Sequence, residues 1–296
     1  MLSAAAEQWP MIQKTFSEAS QVLGYDLWHL CQHGPEEELN QTTVTQPALL
    51  TASVALWRQW FIADGRQPDM VAGHSLGEYT ALVAAESLNF FDAVKLVRLR
   101  GELMQAAVPA GEGRMAAILG LEDEQVIAAC KEAAGDQVVS AVNFNAPGQV
   151  VIAGNAAAVE RAIEACKAAG ARKAMPLPVS VPSHCALMKG AAEELARALD
   201  EVSFNDAVIP VVQNVSATAE QSRDVLKANL VKQLYSPVRW TDSVQVLVAE
   251  GVEQAVECGP GKVLAGLVKR IDRSLPVHGL ETPDALQQAL DALGKA

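Results

Sequence analysis

Aromatic residues make up only 5% of this 296-residue chain, and its cysteines number five. With half the residues hydrophobic and a fifth charged, the aromatic shortage implies a core of aliphatic side chains and alanine, as in an α-rich α/β enzyme, and argues against a disordered or fibrous chain. Cys31, Cys130, Cys166, Cys185 and Cys258 are odd in number and widely spaced, and they include no C-x-x-C pair. That disfavours zinc or thiol-redox chemistry and fits reduced thiols in the cytosol. Positive charge is scarce as well: 23 Lys and Arg against 35 Asp and Glu leave a net charge of −12. The mean field would repel nucleic acid and anionic membrane surfaces, so neither is expected as a partner, and an anionic substrate would need a local cationic cluster. The N-terminus lacks the basic start and apolar run of a signal peptide, and no segment approaches the roughly 20 apolar residues of a membrane span. A soluble, cytoplasmic protein is expected, without internal repeats or low-complexity tracts.

The length suits one large domain or a large and a small one. Apolar residues recur at helical spacing from Thr45 to Ala63, Asp64-Gly65 stops the helix, and Met70-Val71-Ala72 reads as a short buried strand. Helical patterns follow over 78–86 and 91–107. From Arg114 to Val179 the pattern becomes strand (115–119), helix (123–134), strand (137–143), strand (149–153), helix (156–169) and strand (172–177). This β-α-β-β-α-β order predicts a ferredoxin-like unit inserted in a larger domain. After Pro182, helices alternate with short apolar strands at 208–212, 254–257 and 277–279, which predicts a doubly wound parallel sheet. The expected division is a large α/β domain over 1–110 and 182–296, with the small domain at 111–181.

Between the first strand and the following helix stands Gly73-His74-Ser75-Leu76-Gly77, a G-x-S-x-G nucleophile elbow. Such a turn lifts a serine hydroxyl above the sheet, its glycines allow close backbone packing, and the N–H of the next residue, Leu76, can face an oxyanion. The alternative is a glycine-flanked serine in an ordinary βα turn. A serine needs a base. His29, His33 and His278 lie in segments with no other sign of chemistry. His74 is adjacent to Ser75, but neighbours in a sharp turn point apart. His184 sits in a proline-containing loop where the small domain returns to the large one, the kind of position that carries catalytic side chains. By position alone it competes evenly with a structural role.

Four strings carry a resemblance: V-A-G-H-S-L-G-E-Y-T-A-L-V (71–83), V-N-F-N-A-P-G-Q-V-V-I-A-G (142–154), P-V-S-V-P-S-H-C-A-L-M (178–188) and G-P-G-K-V-L (259–264). In this order, along nearly the whole chain, they resemble the malonyl-CoA:acyl carrier protein transacylases and the acyltransferase domains of polyketide synthases. The resemblance implies a hydrolase-like large domain with an inserted ferredoxin-like one, Ser75 as nucleophile and His184 as base. It implies that Arg100, in V-R-L-R-G, clamps the malonyl carboxylate, a task suited to the two parallel N–H donors of a guanidinium; the plain alternative is a surface arginine, which is the reading for Arg98. By the same resemblance a main-chain carbonyl, that of Gln233 in K-Q-L-Y-S-P, orients the base in place of a carboxylate. Gln46, Asn143 and Asn145 would line the pocket, each with a turn-stabilising role as its alternative.

Gly259-Pro260-Gly261-Lys262 opens a helix but lacks the phosphate-loop pattern and reads as a structural turn. The basic pairs Arg172-Lys173 and Lys269-Arg270 are candidates for contacting coenzyme A phosphates or the acidic carrier protein, or are simply solvated. The expected activity is ping-pong transfer of malonyl from coenzyme A, through malonyl-Ser75, to the phosphopantetheine thiol of acyl carrier protein, by a monomer with no metal and no cofactor. A serine hydrolase and a non-catalytic binding protein of the same fold are the alternatives. One departure is visible: the apolar strand and G-Q-G-S-Q loop with which family members begin have no counterpart before Met1. Either Met1 is an internal methionine, or the second oxyanion donor and a sheet strand are lacking, and an added strand and loop should raise stability and rate.

Overall fold

The computed structural model describes residues 1–179 and 181–294; Ser180, within the 178–188 string, and the last two residues of the large-domain span lie outside it. The long helix Thr42–Ile62 runs into β1 (Val71–Ala72), and the helix Gly77–Ala84 begins five residues after that strand. Beside it packs the helix Phe90–Ala106, opened by an Asn89 side chain that accepts the Phe91 N–H. Gly101 decides how closely this helix approaches Thr42–Ile62: a Cβ there would stand 2.8 Å from the Thr42 carbonyl oxygen. The bare glycine therefore brings Arg100 beside Gln46, one turn along the neighbouring helix.

The chain then builds β2 (Gly113–Leu119), the helix Asp123–Ala134, β3 (Val139–Ala146), β4 (Gln149–Asn155), the helix Ala156–Ala168 and β5 (Lys173–Pro176). The four strands form one antiparallel sheet in the order β3-β4-β2-β5. The two helices pack on it around a separate apolar core spanning Ala116 to Cys166, with Ile118, Val150, Ile152 and Val159 at its centre. Element types and order match the sequence expectation, with ends shifted by at most three residues, as fraying and capping make usual.

Beyond Pro182 come β6 (Val211–Val212), β7 (Ala219–Glu220), β8 (Ala255–Glu257) and β9 (Val277–Gly279), set among helices including Lys189–Asp200, Arg223–Gln233, Trp240–Ala249, Val263–Ile271 and Pro283–Leu293. β1 pairs in parallel with β6, β7 joins β6 antiparallel, and β8 and β9 form a parallel pair of their own. The single doubly wound sheet expected from the sequence is thus not seen among the described residues: they hold a mixed α/β arrangement of three sheets. The parallel strands are two or three residues long, and no described segment bridges the two small sheets by hydrogen bonds. Packing links them instead, because Ala72 of β1, Ala255 of β8 and Val277 of β9 lie against one cluster built on Val238, Trp240, Val244 and Leu267. The largest core fills the space between the long helices, from Leu2 to Leu290. No helix is long and apolar enough to cross a membrane among the described residues.

Candidate active site

Ser75 occupies the turn between β1 and the helix Gly77–Ala84 with φ 51°, in the left-handed region that non-glycine residues rarely adopt. The first glycine of the motif permits it. A Cβ on Gly73 would stand 2.0 Å from the Gly77 carbonyl carbon and oxygen, so only glycine lets strand and helix approach so closely. A Cβ on Gly77 would meet nothing within 4 Å, which corrects the expectation that both glycines of the motif serve close packing. The helix starts by Gly77 N–H donating to the His74 carbonyl and Glu78 N–H to that of Ser75. No acceptor among the described residues takes the Leu76 N–H, which leaves that donor available beside the hydroxyl.

His184 reaches this turn from the loop between β5 and the helix Lys189–Asp200, also at positive φ, 63°. Its Nε2 lies 2.8 Å from Ser75 Oγ, and its Nδ1 lies 2.7 Å from the main-chain carbonyl of Gln233. A carbonyl oxygen can only accept, so Nδ1 carries the hydrogen and Nε2 presents the lone pair to the serine. The ring is buried, and burial, with a further push from the Arg100 charge, lowers its pKa to about 3 against the pull of the Gln233 carbonyl. At neutral pH it is an unprotonated acceptor aimed at a hydroxyl.

Arg100 is 2% exposed. Its guanidinium donates to Gln46 Oε1 at 2.8 Å, to Gln233 Oε1 at 3.1 Å and to Ser75 Oγ at 3.0 Å, and it sits 5.7 Å from the Tyr79 ring centroid. Among the described residues its Nε has no partner and no carboxylate lies within salt-bridge distance of it. Burial pulls its pKa down, while Tyr79 and Glu78 favour the charge. A buried cation coordinated by neutral amides beside a serine hydroxyl has the chemistry to receive an anion, because its desolvation is costly until a negative charge arrives.

The remaining residues singled out in the sequence are placed differently. Gln46 holds Arg100 and turns its Nε2 to Met104 Sδ at 3.7 Å. Asn145 Oδ1 accepts from His74 Nε2 at 2.7 Å, which with the Trp240 ring at 5.6 Å ties His74 away from the serine. Asn143 lies at a bridge to Val238, its Oδ1 buried without a partner among the described residues. Arg172 and Lys173 are exposed at one end of the four-stranded sheet. Leu119 is the register partner of both Lys173 and Gln149, and Arg270 donates to Gln149 Oε1 at 2.7 Å. The basic pairs, distant in sequence, thus meet at the same sheet end; Lys269 is exposed beside them. Arg98, read as a surface residue, pairs with Glu102 at 3.0 Å.

Two residues of the site escaped the sequence reading. Asn214 grips the turn through its carboxamide, and Glu78, fully buried, accepts the Asn214 N–H at 2.8 Å. Asn214 stands two residues beyond the apolar pair Val211-Val212, near a strand's end, which is where polar site residues gather in α/β sheets and was the available signal. Glu78 in a first helical turn looks like an ordinary dipole partner.

The acyl transferase domain model matches residues 2–283. This chain belongs to that family. The malonyl CoA-acyl carrier protein transacylase of Escherichia coli K12 is 58% identical over 291 residues, 98% of this chain and 94% of that protein. Its Bacillus subtilis counterpart is 47% identical over 97% of this chain and 90% of its own length. Among solved structures, an acyl carrier protein S-malonyltransferase from Vibrio cholerae superposes with a TM-score of 0.95 at 58% identity, covering 97% of this chain and 94% of that one. A malonyl-transacylase in complex with a type II polyketide acyl-carrier protein superposes at 0.97 with 55% identity, covering 99% and 94%. The matched span of this acyltransferase contains every residue of the cluster around Ser75.

Proposed function

We propose that this acyltransferase moves a malonyl group from coenzyme A to the phosphopantetheine thiol of acyl carrier protein, with Ser75 as nucleophile and His184 as base. The observation that carries the reading is the buried Arg100 guanidinium, without a carboxylate partner among the described residues and 3.0 Å from the hydroxyl that His184 Nε2 faces at 2.8 Å. A hydrolase of neutral esters has no use for a buried cation there; a malonyl carboxylate supplies the missing charge.

In the first half-reaction Ser75 Oγ attacks the thioester carbonyl and its proton passes to His184 Nε2. The Nδ1–H bond to the Gln233 carbonyl stabilises the imidazolium and holds the ring. Leu76 N–H faces the oxyanion. As the tetrahedral adduct collapses, the C–S bond breaks and the coenzyme A sulfur takes the proton from His184. In the second half the carrier thiol gives its proton to His184 and attacks malonyl-Ser75; as this adduct collapses the C–O bond breaks and Ser75 Oγ takes the proton back from His184. Every proton and leaving group is accounted for by these side chains, so the scheme calls for no metal and no cofactor. The basic group of Arg172, Lys173, Lys269 and Arg270 suits the phosphates of coenzyme A or an acidic carrier. Asn143 and Asn145 act on the pocket wall from β3, Asn145 by way of His74.

The division into a large unit over 1–110 and 182–296 and a small one over 111–181 is supported by the separate apolar core between Ala116 and Cys166. The strand order β3-β4-β2-β5 supports a ferredoxin-like reading of the small unit, and the two parallel pairs support a hydrolase-like reading of the large one. The balance of −12 fits a monomer working in the cytoplasm, away from nucleic acid and membranes.

The test is intact mass spectrometry after mixing with malonyl-CoA, followed by addition of phosphopantetheinylated carrier protein. A malonyl adduct that the carrier discharges is expected. Turnover without adduct would indicate a hydrolase, and neither event would indicate a binding protein.

A further inference from the structure

Asn214 stands just past β6, beside the turn that carries Ser75. Its Oδ1 accepts the Ser75 N–H at 2.7 Å and its Nδ2 donates to the Gly73 carbonyl at 2.7 Å. The orientation of the carboxamide is forced, because a main-chain N–H only donates and a carbonyl only accepts. The Asn214 N–H donates to Glu78 Oε2 at 2.8 Å, from the first turn of the helix that follows the serine. Asn214 and Glu78 are both fully buried. From the other side Gln233 Nε2 donates to the Ser75 carbonyl at 2.9 Å. Both main-chain polar groups of the serine are therefore held by side-chain amides.

A left-handed non-glycine residue is strained and persists only where the surroundings over-determine it. The two buried hydrogen bonds from Asn214 act on either side of the strained residue and offset that strain. We propose that Asn214, seated by Glu78, is a positioning residue of the reaction: it locks the left-handed turn that aims Ser75 Oγ at His184. It also occupies the serine's own N–H, so that the turn offers the oxyanion the Leu76 N–H alone. The inference rests on the reading of Ser75 as nucleophile. Burial pushes the Glu78 carboxyl up to about 7, against the Asn214 N–H, Gln233 and Arg100, which favour its charge. A group kept at that cost to anchor one N–H fits the positioning role.

The experiment measures, in the full chain, the rate of Ser75 acylation by malonyl-CoA, kcat and KM, and Tm for Asn214→Ala, Asn214→Asp, Glu78→Ala and Glu78→Gln. A misplacement near 1 Å costs about 10²-fold in rate, so Asn214→Ala should slow acylation by roughly 30- to 100-fold with KM within about threefold. Asn214→Asp keeps the acceptor for Ser75 N–H but loses the donor to Gly73, and should fall between, at about tenfold. Glu78→Gln should recover most of what Glu78→Ala loses, since glutamine retains an acceptor for the Asn214 N–H. Rates per folded molecule equal to wild type, whatever happens to Tm, would overturn the proposal, as would a raised KM at unchanged kcat. If the alanine variant does not fold, the near-isosteric aspartate decides: an unaltered rate refutes the role. Ser75→Ala run in parallel separates the two readings, because an adduct persisting there removes the nucleophile itself, whereas a normal rate in the Asn214 variants removes only the positioning.

Discussion

Between Ala116 and Cys166 the small unit encloses alanine, valine, isoleucine, leucine and two cysteines, and Asn145 is the only buried polar side chain among the described residues of 111–181. Around Ser75 the large unit encloses an arginine, a glutamate, a histidine, two glutamines and an asparagine, all under 9% exposed. Both regions are well packed, but they are stabilised differently. The first gains from apolar area removed from water, at about 25 cal/mol per Å². The second must match each buried donor to an acceptor, and it leaves Arg100 Nε and Glu78 Oε1 unmatched. Buried polar groups gather around Ser75, and the one polar exception of the small unit, Asn145, bonds His74, the neighbour of that serine.

If this contrast is right, substitutions in the two regions should fail in different ways. Ser75→Ala should abolish the malonyl adduct while the protein remains folded, because no other nucleophile takes part; an adduct seen by intact mass would break the comparison outright. His184→Ala should slow acylation by at least about 10³-fold, since base and nucleophile act as a unit. A loss under tenfold in stopped acylation assays would move the base elsewhere.

Arg100→Ala should exchange one preference for another. Malonyl transfer falls by roughly 10²-fold, the worth of two charge-assisted hydrogen bonds, while acetyl transfer holds or rises. Competition between the two thioesters reads the ratio directly, and equal losses would make Arg100 structural. The same variant carries a pH signature. The Arg100 charge is one of the influences holding the His184 pKa down, so its removal should move the acid limb of kcat/KM upward. The wild-type limb should lie well below the ordinary histidine range near 6.5. For stability the sign follows from the depressed value: between about 3 and 6.5 the unfolded chain binds the proton and the folded one does not, so this histidine makes the protein less stable as pH falls through that window.

In the small unit, Ile152→Ala should cost about 2–5 kcal/mol of stability, by chemical denaturation, and leave kcat per folded molecule unchanged. A large kcat defect there would mean that the apolar core reaches the chemistry. The smallest effect is expected from Lys173→Glu with Arg270→Glu: transfer to carrier protein should slow a few-fold and lose part of its salt dependence, with Ser75 acylation by malonyl-CoA as the internal control.

Local patterns made much of this legible. Element order between 113 and 176 follows from alternating strand and helix periodicities with turn residues between them, signals that need no distant partner. The elbow, too, is a local object, because the Gly73 backbone must pass Gly77 and only glycine fits. Chain order could not show how short parallel strands are shared among sheets, since β1 and β6 lie 140 residues apart and pair over two residues each. Nor could it show that Asn214 grips Ser75 across 139 residues, or that Glu78 is buried rather than capping a helix in solvent. Sequence determined which groups are available: a serine in a tight turn, a histidine in a proline loop, an arginine followed by glycine. Only tertiary structure decided which would be desolvated and aimed at one another, because burial and hydrogen-bond direction depend on helices and strands meeting in space.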